Sequence, residues 1–484
     1  MKKIVLLAGI VSLISGWLSN GIYPQERDEE TPQSIELIEE VEKEQRFNIS
    51  GFMDFQYVQY DFKSEESQMK YLFKENGAFV LNNFNLYFSF NVSDDLLAFS
   101  EIRFLFAPTG NEQLTPVDDG YVYIGDDSNA VDHIIITPYN NLTSDSQATR
   151  FKYGSLFIER AYFEWNKLSF ANLRLGRYLV PYGIWSQDHG APVVTSVRVP
   201  LMVNTPLISF GMPQRQTGIE LLGKVNLPST SIFLDYAAYI GNGISDSDAT
   251  ADEADKNKAY GGFLNFKLPL IAKMIDIELG CSGYQGERTF ICKKIAEPFI
   301  LSSINDGTQS ISYNIDYSDI KFYYKQLDTI ALAHVKVSIG SLPFDGTLII
   351  QSEFMRQWVD EKSDESRLVD IWGQPRKTDD SYFFGSYFQI EYQIFGKITP
   401  YFRYERLESN TIDTSIALTL KHANMYTVGL NVKPYDEVVI KTEWLRFDAA
   451  SASGWIKIEM DGTVTPYVAS EDVDQYSVAV SFSF

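Results

Sequence analysis

Charged side chains recur at alternating positions within apolar and aromatic segments of this sequence. Ten of them share a face with the small and polar residues of their segments: Glu101, Arg103, Arg160, Arg174, Lys336, Glu353, Arg403, Glu405, Lys441 and Glu443. Residues two apart in a strand point the same way, so the pattern predicts a polar wall. Acids and bases are nearly balanced, which favours a field across a hydrated space over selection of one charge sign. The simpler interpretation of each residue is a solvated side chain paired across strands.

A second group of candidate residues lies in one long connection, residues 177–213, and at its base. Its members are Arg177, Asp188, His189, Arg198 and Arg215. Asp188 and His189 are sequence neighbours, but no serine signature surrounds them, so the triad of a hydrolase is not indicated and no enzyme is expected. For His189, a loop histidine hydrogen-bonded to its neighbours competes with a pH-sensitive gate.

The elements that must position these residues are strands. The last ten residues alternate without interruption, with Tyr476, Val478 and Val480 on one face and Ser477, Ala479 and Ser481 on the other. The same period predicts sixteen strands near 47–62, 79–92, 95–107, 154–166, 169–178, 214–226, 230–242, 258–268, 273–286, 327–340, 344–359, 380–395, 397–409, 423–433, 436–449 and 473–484.

The predicted connections alternate strictly between short and long. That alternation, 29 Tyr and 33 Phe, and the scarcity of long apolar runs predict an all-β chain. The predicted fold is a transmembrane antiparallel β-barrel of about sixteen strands over residues 47–484, with short periplasmic turns and long extracellular loops.

The N-terminal segments predict export. Lys2 and Lys3 precede an apolar stretch, so residues 1–20 are interpreted as a signal peptide. Residues 21–46 are predicted to be an acidic periplasmic extension, either disordered or briefly helical, with a small coiled coil as the alternative. The expected location is the outer membrane of a diderm bacterium, with lipid as a partner.

Other ligands are not indicated by composition. The formal net charge of −23 argues against nucleic acid. Four scattered histidines lack ligand spacing, so neither a metal nor another cofactor is expected. Cys281 and Cys292 are interpreted as either a disulfide or two free thiols, the bridge requiring Cys292 to lie in the loop beyond the strand of Cys281.

Two regions fit the barrel pattern less well. Glu159 shares the face of Phe157, Ala161 and Phe163, so it is expected on the lipid side near the outer interface. Residues 288–326 are interpreted as one large loop, within which 310–325 could form a hairpin outside the membrane.

Three short motifs resemble the phosphate-selective porin O/P superfamily and its relatives that carry a coiled coil. They are residues 175–183 (LGRYLVPYG), 215–218 (RQTG) and 51–54 (GFMD). The resemblance implies a sixteen-stranded homotrimeric channel whose third loop, 177–213, lines the constriction. It also implies that the barrel-assembly machinery recognises Phe484. The dense arginines and lysines that give that family phosphate selectivity are absent from this sequence.

The function expected from these features is passive diffusion of small hydrophilic or charged solutes, including small anions, through a water-filled channel. The alternative is a surface adhesin or scaffold that acts through the long connections 108–153 and 288–326. A barrel hydrolase is the third possibility, which the missing nucleophile signature disfavours.

Overall fold

Burial along the strands is inverted relative to a soluble protein. In β2 (Ala78–Ser93), the polar Asn83 and Asn85 are buried whereas Phe79 and Leu81 are exposed, Phe79 at 72%. Apolar residues therefore face the surroundings and polar residues face the interior. Only a closed sheet placed in an apolar medium gives this arrangement an energetic advantage.

A computed structural model describes most of the chain. The described residues are 46–64, 77–111, 121–124, 133–136, 151–168, 170–185, 190–203, 213–227, 232–243, 257–271, 274–293, 321–361, 381–409, 419–458 and 464–484. They belong to one unit, Arg46–Phe484. The proposed signal peptide and nearly all of the acidic extension lie outside the described residues.

The described residues form eighteen strands in one sheet. Besides β2, they are β1 (Phe47–Phe62), β3 (Leu96–Asn111), β4 (Tyr121–Ile124), β5 (His133–Ile136), β6 (Phe151–Leu168), β7 (Ala171–Leu179), β8 (Arg215–Asn226), β9 (Phe233–Gly241), β10 (Ala259–Leu270), β11 (Ile275–Lys293), β12 (Lys321–Leu342), β13 (Gly346–Glu361), β14 (Ser381–Gln393), β15 (Ile398–Ser409), β16 (Thr419–Tyr435), β17 (Val438–Ile458) and β18 (Val464–Ser483).

Sixteen of these strands close into an antiparallel barrel. Strand β3 pairs directly with β6, so β4 and β5 stand outside the circuit. Closure comes from β1 and β18, which pair from Phe52 opposite Ser483 to Phe62 opposite Val473. The predicted fold class, a transmembrane antiparallel barrel of about sixteen strands, is confirmed.

Two predicted loops contain more strand than expected. The connection 108–153 includes the β4–β5 hairpin, whose second strand pairs with Ile456–Ile458 of β17. The segment predicted as one large loop, 288–326, instead begins and ends in strand, because β11 continues to Lys293 and β12 starts at Lys321. Most of the possible hairpin at 310–325 lies outside the described residues.

Short turns all join strands at one end of the barrel, which we call the tight-turn end. The turn between β14 and β15 shows how little chain is needed: the N–H of Lys397 donates to the carbonyl of Ile394 at 2.9 Å. Its two central residues, Phe395 and Gly396, have φ of 50° and 63°. Positive φ at both positions is the two-residue hairpin geometry that matches strand twist.

Both cysteines lie in β11, so the expected possibility of a disulfide between them is wrong. A strand rises ~3.3 Å per residue, which separates Cys281 and Cys292 by about 36 Å, far beyond the roughly 7 Å that a disulfide spans between Cα atoms. Cys281 is a free, exposed thiol.

Within the described ranges, no helix has the length and apolar character needed to cross a membrane.

Candidate constriction site

The third long connection enters the barrel. It leaves β7 at Val180 and returns at Gln214, where the Val180 N–H donates to the Gln214 carbonyl at 2.9 Å. Most of its apolar residues are nearly inaccessible and share a core with inward residues of the wall, among them Met355 and Leu407, although Val193 is 61% exposed. We call the described parts, 180–185 and 190–203, loop L3. A surface loop would leave these side chains in water, so L3 occupies the lumen.

The first part of L3 docks on β13 and β14. The Ile184 N–H donates to Glu353 Oε1 at 2.5 Å, and Trp185 Nε1 donates to the Tyr387 hydroxyl at 2.7 Å. Gly183 has φ of +54°, and a Cβ there would lie 2.5 Å from Glu353 Oε2. Glycine is therefore required both by the backbone conformation and by the close approach to the wall. Burial raises the pKa of the Tyr182 phenol.

The middle of L3 wraps around the ammonium group of Lys441 in β17. Three backbone carbonyls of the loop accept its hydrogen bonds: Ala191, Val194 and Ser196, the last at 3.0 Å. An ammonium group has three donors, so L3 supplies one acceptor for each. Lys441 is 1% exposed and therefore gives its donors to the loop, not to water in the lumen.

The inward pair of β15 holds the next residues of L3. Arg403 donates to Ser196 Oγ at 2.9 Å and to the carbonyl of Arg198 at 3.1 Å. Glu405 accepts from Arg403 Nε at 2.8 Å and from the N–H of Leu201 at 2.5 Å. Both wall residues are at most 1% exposed. The pair is satisfied largely by loop groups, which balances the cost of burying two charges.

Arg198 completes this cluster from the loop side. Its guanidinium lies 2.6 Å from Glu405 Oε1 and 3.9 Å from Glu443 Oε1. Glu443 also accepts from the Val197 N–H at 3.1 Å and from the Tyr401 hydroxyl at 2.7 Å. The Arg198 side chain keeps 17% exposure, whereas the two carboxylates keep 1% each. The part of this cluster that is exposed to the lumen is therefore a guanidinium, and the carboxylates behind it are buried.

A second ionic cluster lies on β3, β6 and β8, at the base of L3. Glu159 is fully buried, with Arg215 Nη2 at 2.8 Å and Arg103 Nη1 at 3.4 Å. The expected lipid-side position of Glu159 is wrong. The pairing of β3 with β6 shifts register here, so that Glu159 is an extra residue. A β-bulge of this kind turns a side chain away from strict alternation.

A third cluster lies nearer the tight-turn end. Arg160 Nε donates to Glu101 Oε2 at 2.5 Å. Arg174 lies 2.7 Å from Glu164 and 2.6 Å from Glu220. The Arg160 guanidinium also lies over the Phe99 ring, and that of Arg174 lies over the Tyr162 ring. These residues bring acids and bases together across four strands, as the balanced inward charges predict.

Half of the predicted pore-lining residues need correction. All ten lie on the inward face of their strands, but five of them are covered by L3 and bind it: Glu353, Arg403, Glu405, Lys441 and Glu443. The expectation that they form a solvated wall is wrong. The other five, Glu101, Arg103, Arg160, Arg174 and Lys336, make no contact with L3 in the hydrogen bonds and ion pairs described.

The five predicted constriction residues do not form one group. Arg198 lies in L3, and Arg215 lies at its base. Arg177 belongs to β7, opposite Ala161 and Thr217, in the outward row of the alternation. Asp188 and His189 lie outside the described residues.

Sequence reasoning missed the residues through which L3 binds the wall. Ser196, Trp185 and Tyr387 carry no charge and match no motif, yet each bridges loop and strand. One signal was present, because Tyr182 and Trp185 are large aromatic residues in a long connection. Aromatic residues at these positions indicate a loop that packs against something.

Comparisons with known proteins give only distant matches. No family model matches the chain, and no curated protein matches it. Solved structures with a similar fold include OmpT of Vibrio cholerae (9% identity, TM-score 0.46, covering 90% of this chain and 97% of that one). An anion-selective porin from Comamonas acidovorans matches with 11% identity and TM-score 0.45, over 90% and 99% of the two chains. The channel DcaP of Acinetobacter baumannii matches with 13% identity and TM-score 0.43, over 90% and 97%.

Proposed function

We propose that the chain is an outer-membrane porin, a water-filled channel for passive diffusion of small hydrophilic solutes. One observation carries the proposal: the third connection is folded into a closed barrel and is held there by buried charges of the opposite wall. A loop fixed inside an otherwise open barrel narrows it without moving parts. Sixteen strands enclose a lumen that would otherwise be a wide aqueous hole.

The anchoring of L3 suits a permanent constriction. Lys441, Arg403 and Glu405 are almost inaccessible, and each of them binds L3 directly. Releasing the loop would leave buried donors and acceptors without partners, each at a cost of about 1–3 kcal/mol. The loop is therefore expected to stay docked while solutes pass.

The charges of the lumen favour weak selectivity. The three clusters around Arg198, Glu159 and Arg174 each combine guanidiniums and carboxylates. Such compensation lowers the barrier for small ions of either sign, small anions included, because no single sign dominates the path. We propose neither an enzymatic activity nor a cofactor for this chain.

The membrane setting and the assembly belong to the same proposal. The outward apolar face suits lipid, and the tight-turn end is assigned to the periplasm, as in barrels of this class. The family resemblance adds a homotrimer, an exported precursor with a signal peptide at 1–20, and contact of Phe484 with the assembly machinery. Chemical cross-linking in detergent followed by mass measurement tests the trimer: the expected product has three subunits, and a product that stays monomeric contradicts it.

The channel itself is tested in planar lipid bilayers. Purified, folded protein is expected to insert in discrete conductance steps that scale with salt concentration. The reversal potential across a salt gradient, for the wild type and for Arg198→Ala with Arg215→Ala, then measures charge preference. Because these arginines belong to L3 and its base, the double variant is expected to shift the reversal potential towards cations. Folded protein that never produces conductance steps excludes the proposal.

A further inference from the structure

A row of four aromatic side chains crosses adjacent strands on the lumen wall. Phe52, Tyr87, Phe99 and Tyr162 come from β1, β2, β3 and β6, with successive ring centroids 6.2, 6.2 and 5.2 Å apart. Three of the rings are only half-buried, although they lie inside the barrel. We call this row the aromatic track. Side chains that serve only to fill a core are normally covered, so a partly open row inside a channel is available to a solute.

The track begins at L3 and descends towards the tight-turn end. A Cβ at Gly190 would lie 3.3 Å from Phe52 Cε1, so the loop touches the first ring. Phe52 is opposite Asn85, and Tyr87 is two residues nearer the turn. Tyr87 is opposite Glu101, and Phe99 is again two residues nearer the turn. The row is therefore diagonal to the strands and leads away from the constriction.

Hydrogen-bonding groups accompany the track along its length. The Arg160 guanidinium lies 5.0 Å from the Phe99 centroid and 5.6 Å from that of Tyr87, and Arg174 lies 4.3 Å from that of Tyr162. Their carboxylate partners are Glu101, Glu164 and Glu220. The Arg160 side chain remains 22% exposed. Apolar rings and oriented donors and acceptors thus alternate along one path.

The charge along the track decides between ligand classes. Two guanidiniums, Arg160 and Arg174, face three carboxylates, so the path carries no excess of positive charge. The path therefore disfavours anions, and a cation meets only carboxylates that are already paired with guanidiniums. A neutral ring with apolar C–H groups and hydroxyl groups matches both features, because the exposed parts of the aromatic side chains contact its C–H groups and the paired ions take its hydroxyls.

We propose that the aromatic track is a binding path for neutral saccharides, which it guides from the constriction towards the periplasm. The inference rests on the proposed channel function and names a solute class for it. Successive rings 5–6 Å apart let a linear sugar chain exchange one contact for the next, so that binding does not trap the solute.

Current block measures this binding. Maltotriose is added at rising concentration to single channels of the full chain in a planar bilayer, and polyethylene glycol of equal size serves as the control. Binding predicts a saturable decrease of conductance with maltotriose, with added current noise. The polymer is expected to cause only a decrease of conductance that is proportional to its concentration. Benzoate, a planar aromatic anion, is tested in parallel and is expected to block less than maltotriose.

Variants locate the site. Phe99→Leu and Tyr162→Leu each replace one ring by a smaller apolar side chain. Each is expected to raise the half-saturating maltotriose concentration roughly two- to tenfold, the range that the loss of one aromatic contact implies. Tyr60→Leu is the matched control, an aromatic residue of β1 that stacks on Phe62 and lies outside the track. It is expected to leave block unchanged.

Three results overturn the inference. Channels that conduct but respond equally to maltotriose and polymer exclude saccharide binding, and block that survives both ring variants excludes the track as its site. Stronger block by benzoate assigns the path to aromatic anions instead. If no channel forms, the proposed function fails, and calorimetric titration of maltotriose into the detergent-solubilised protein still decides binding, since absence of heat excludes it.

Discussion

Lys441 illustrates how one side chain can hold a loop of many residues. Its ammonium group donates to the backbone carbonyls of Ala191, Val194 and Ser196 in L3. The side chain is long enough to leave the wall of β17 and reach the loop backbone.

Replacing Lys441 by Met is expected to loosen L3 while leaving the barrel folded. Methionine keeps the apolar stem, but three buried carbonyls lose a donor, at about 1–3 kcal/mol for each group left unsatisfied. Single-channel recordings should show more frequent conductance fluctuations than the wild type.

Lys433→Met is the matched control for that experiment. Lys433 is an exposed residue of β16 whose nearest acid, Asp436, lies 3.8 Å away at the surface. Exposed ion pairs contribute little, so its recordings should match the wild type. Equal noise in Lys441→Met and wild type would contradict the anchoring role.

The inward position of Lys441 could be predicted from alternation, but its partners could not. Alternation assigns a side chain to a face, and nothing in the sequence near residue 441 points to carbonyls about 245–250 positions away. The predicted lipid-side position of Glu159 was wrong for a different reason. A β-bulge changes the face of the residues that follow it, and no turn residue or glycine near Glu159 indicates it.

Among the elements, L3 is the one whose position determines the proposed function. Its short 3-10 turn, Leu201–Val203, packs on β14, where a Cβ at Gly385 would lie 2.8 Å from that of Met202. Cβ atoms of a disulfide are about 3.5–4.5 Å apart, so a small shift is sufficient to bridge these two positions.

Met202→Cys with Gly385→Cys, in a background with Cys281→Ser and Cys292→Ser, is therefore expected to form a disulfide on mild oxidation. Peptide mapping of the non-reduced protein detects it. Because the bond locks L3 where it already lies, oxidised channels should keep the wild-type conductance.

Met202→Cys with Ser386→Cys is the control, since the residue after Gly385 points to the other face of β14. This pair should stay reduced. If the Gly385 pair also stays reduced, or if its oxidation closes the channel, L3 does not rest on β14 in the conducting state.

The strands themselves were predictable because a period of two repeats in every wall segment. The predicted strand at 47–62 coincides with β1, and that at 397–409 coincides with β15 to within a residue. The β4–β5 hairpin was missed because its strands have only four residues each. Such short runs are too brief to show periodicity.

For the molecule as a whole, closure depends on the fit between β1 and β18. Gly51 and Phe484 exchange two backbone hydrogen bonds of 2.9 and 3.0 Å, and the Phe484 ring stacks on Phe84. A Cβ at Gly51 would approach the carbonyl of Asn85 and lie 2.8 Å from Phe484 Cζ. Glycine is needed here because two strands and a ring converge.

Gly51→Ala is expected to lower barrel stability by about 1–3 kcal/mol, since a methyl group overpacks this site. Heating in detergent followed by electrophoresis measures the unfolding midpoint, which should fall. Gly283→Ala is the control, because its nearest neighbour, the carbonyl oxygen of Ile330, lies 3.8 Å from the added Cβ. A midpoint unchanged in Gly51→Ala would contradict a tight closure.

Shortening L3 provides the decisive comparison. Val180 and Gln214 are hydrogen-bonded, so residues 181–213 can be replaced by the two-residue turn Asn-Gly without separating β7 from β8. Conductance and the largest admissible polyethylene glycol are measured for both proteins in planar bilayers. If L3 narrows a water-filled barrel, the shortened protein conducts several times more current and admits larger polymers. Equal conductance and an equal size limit in the two folded proteins would contradict it.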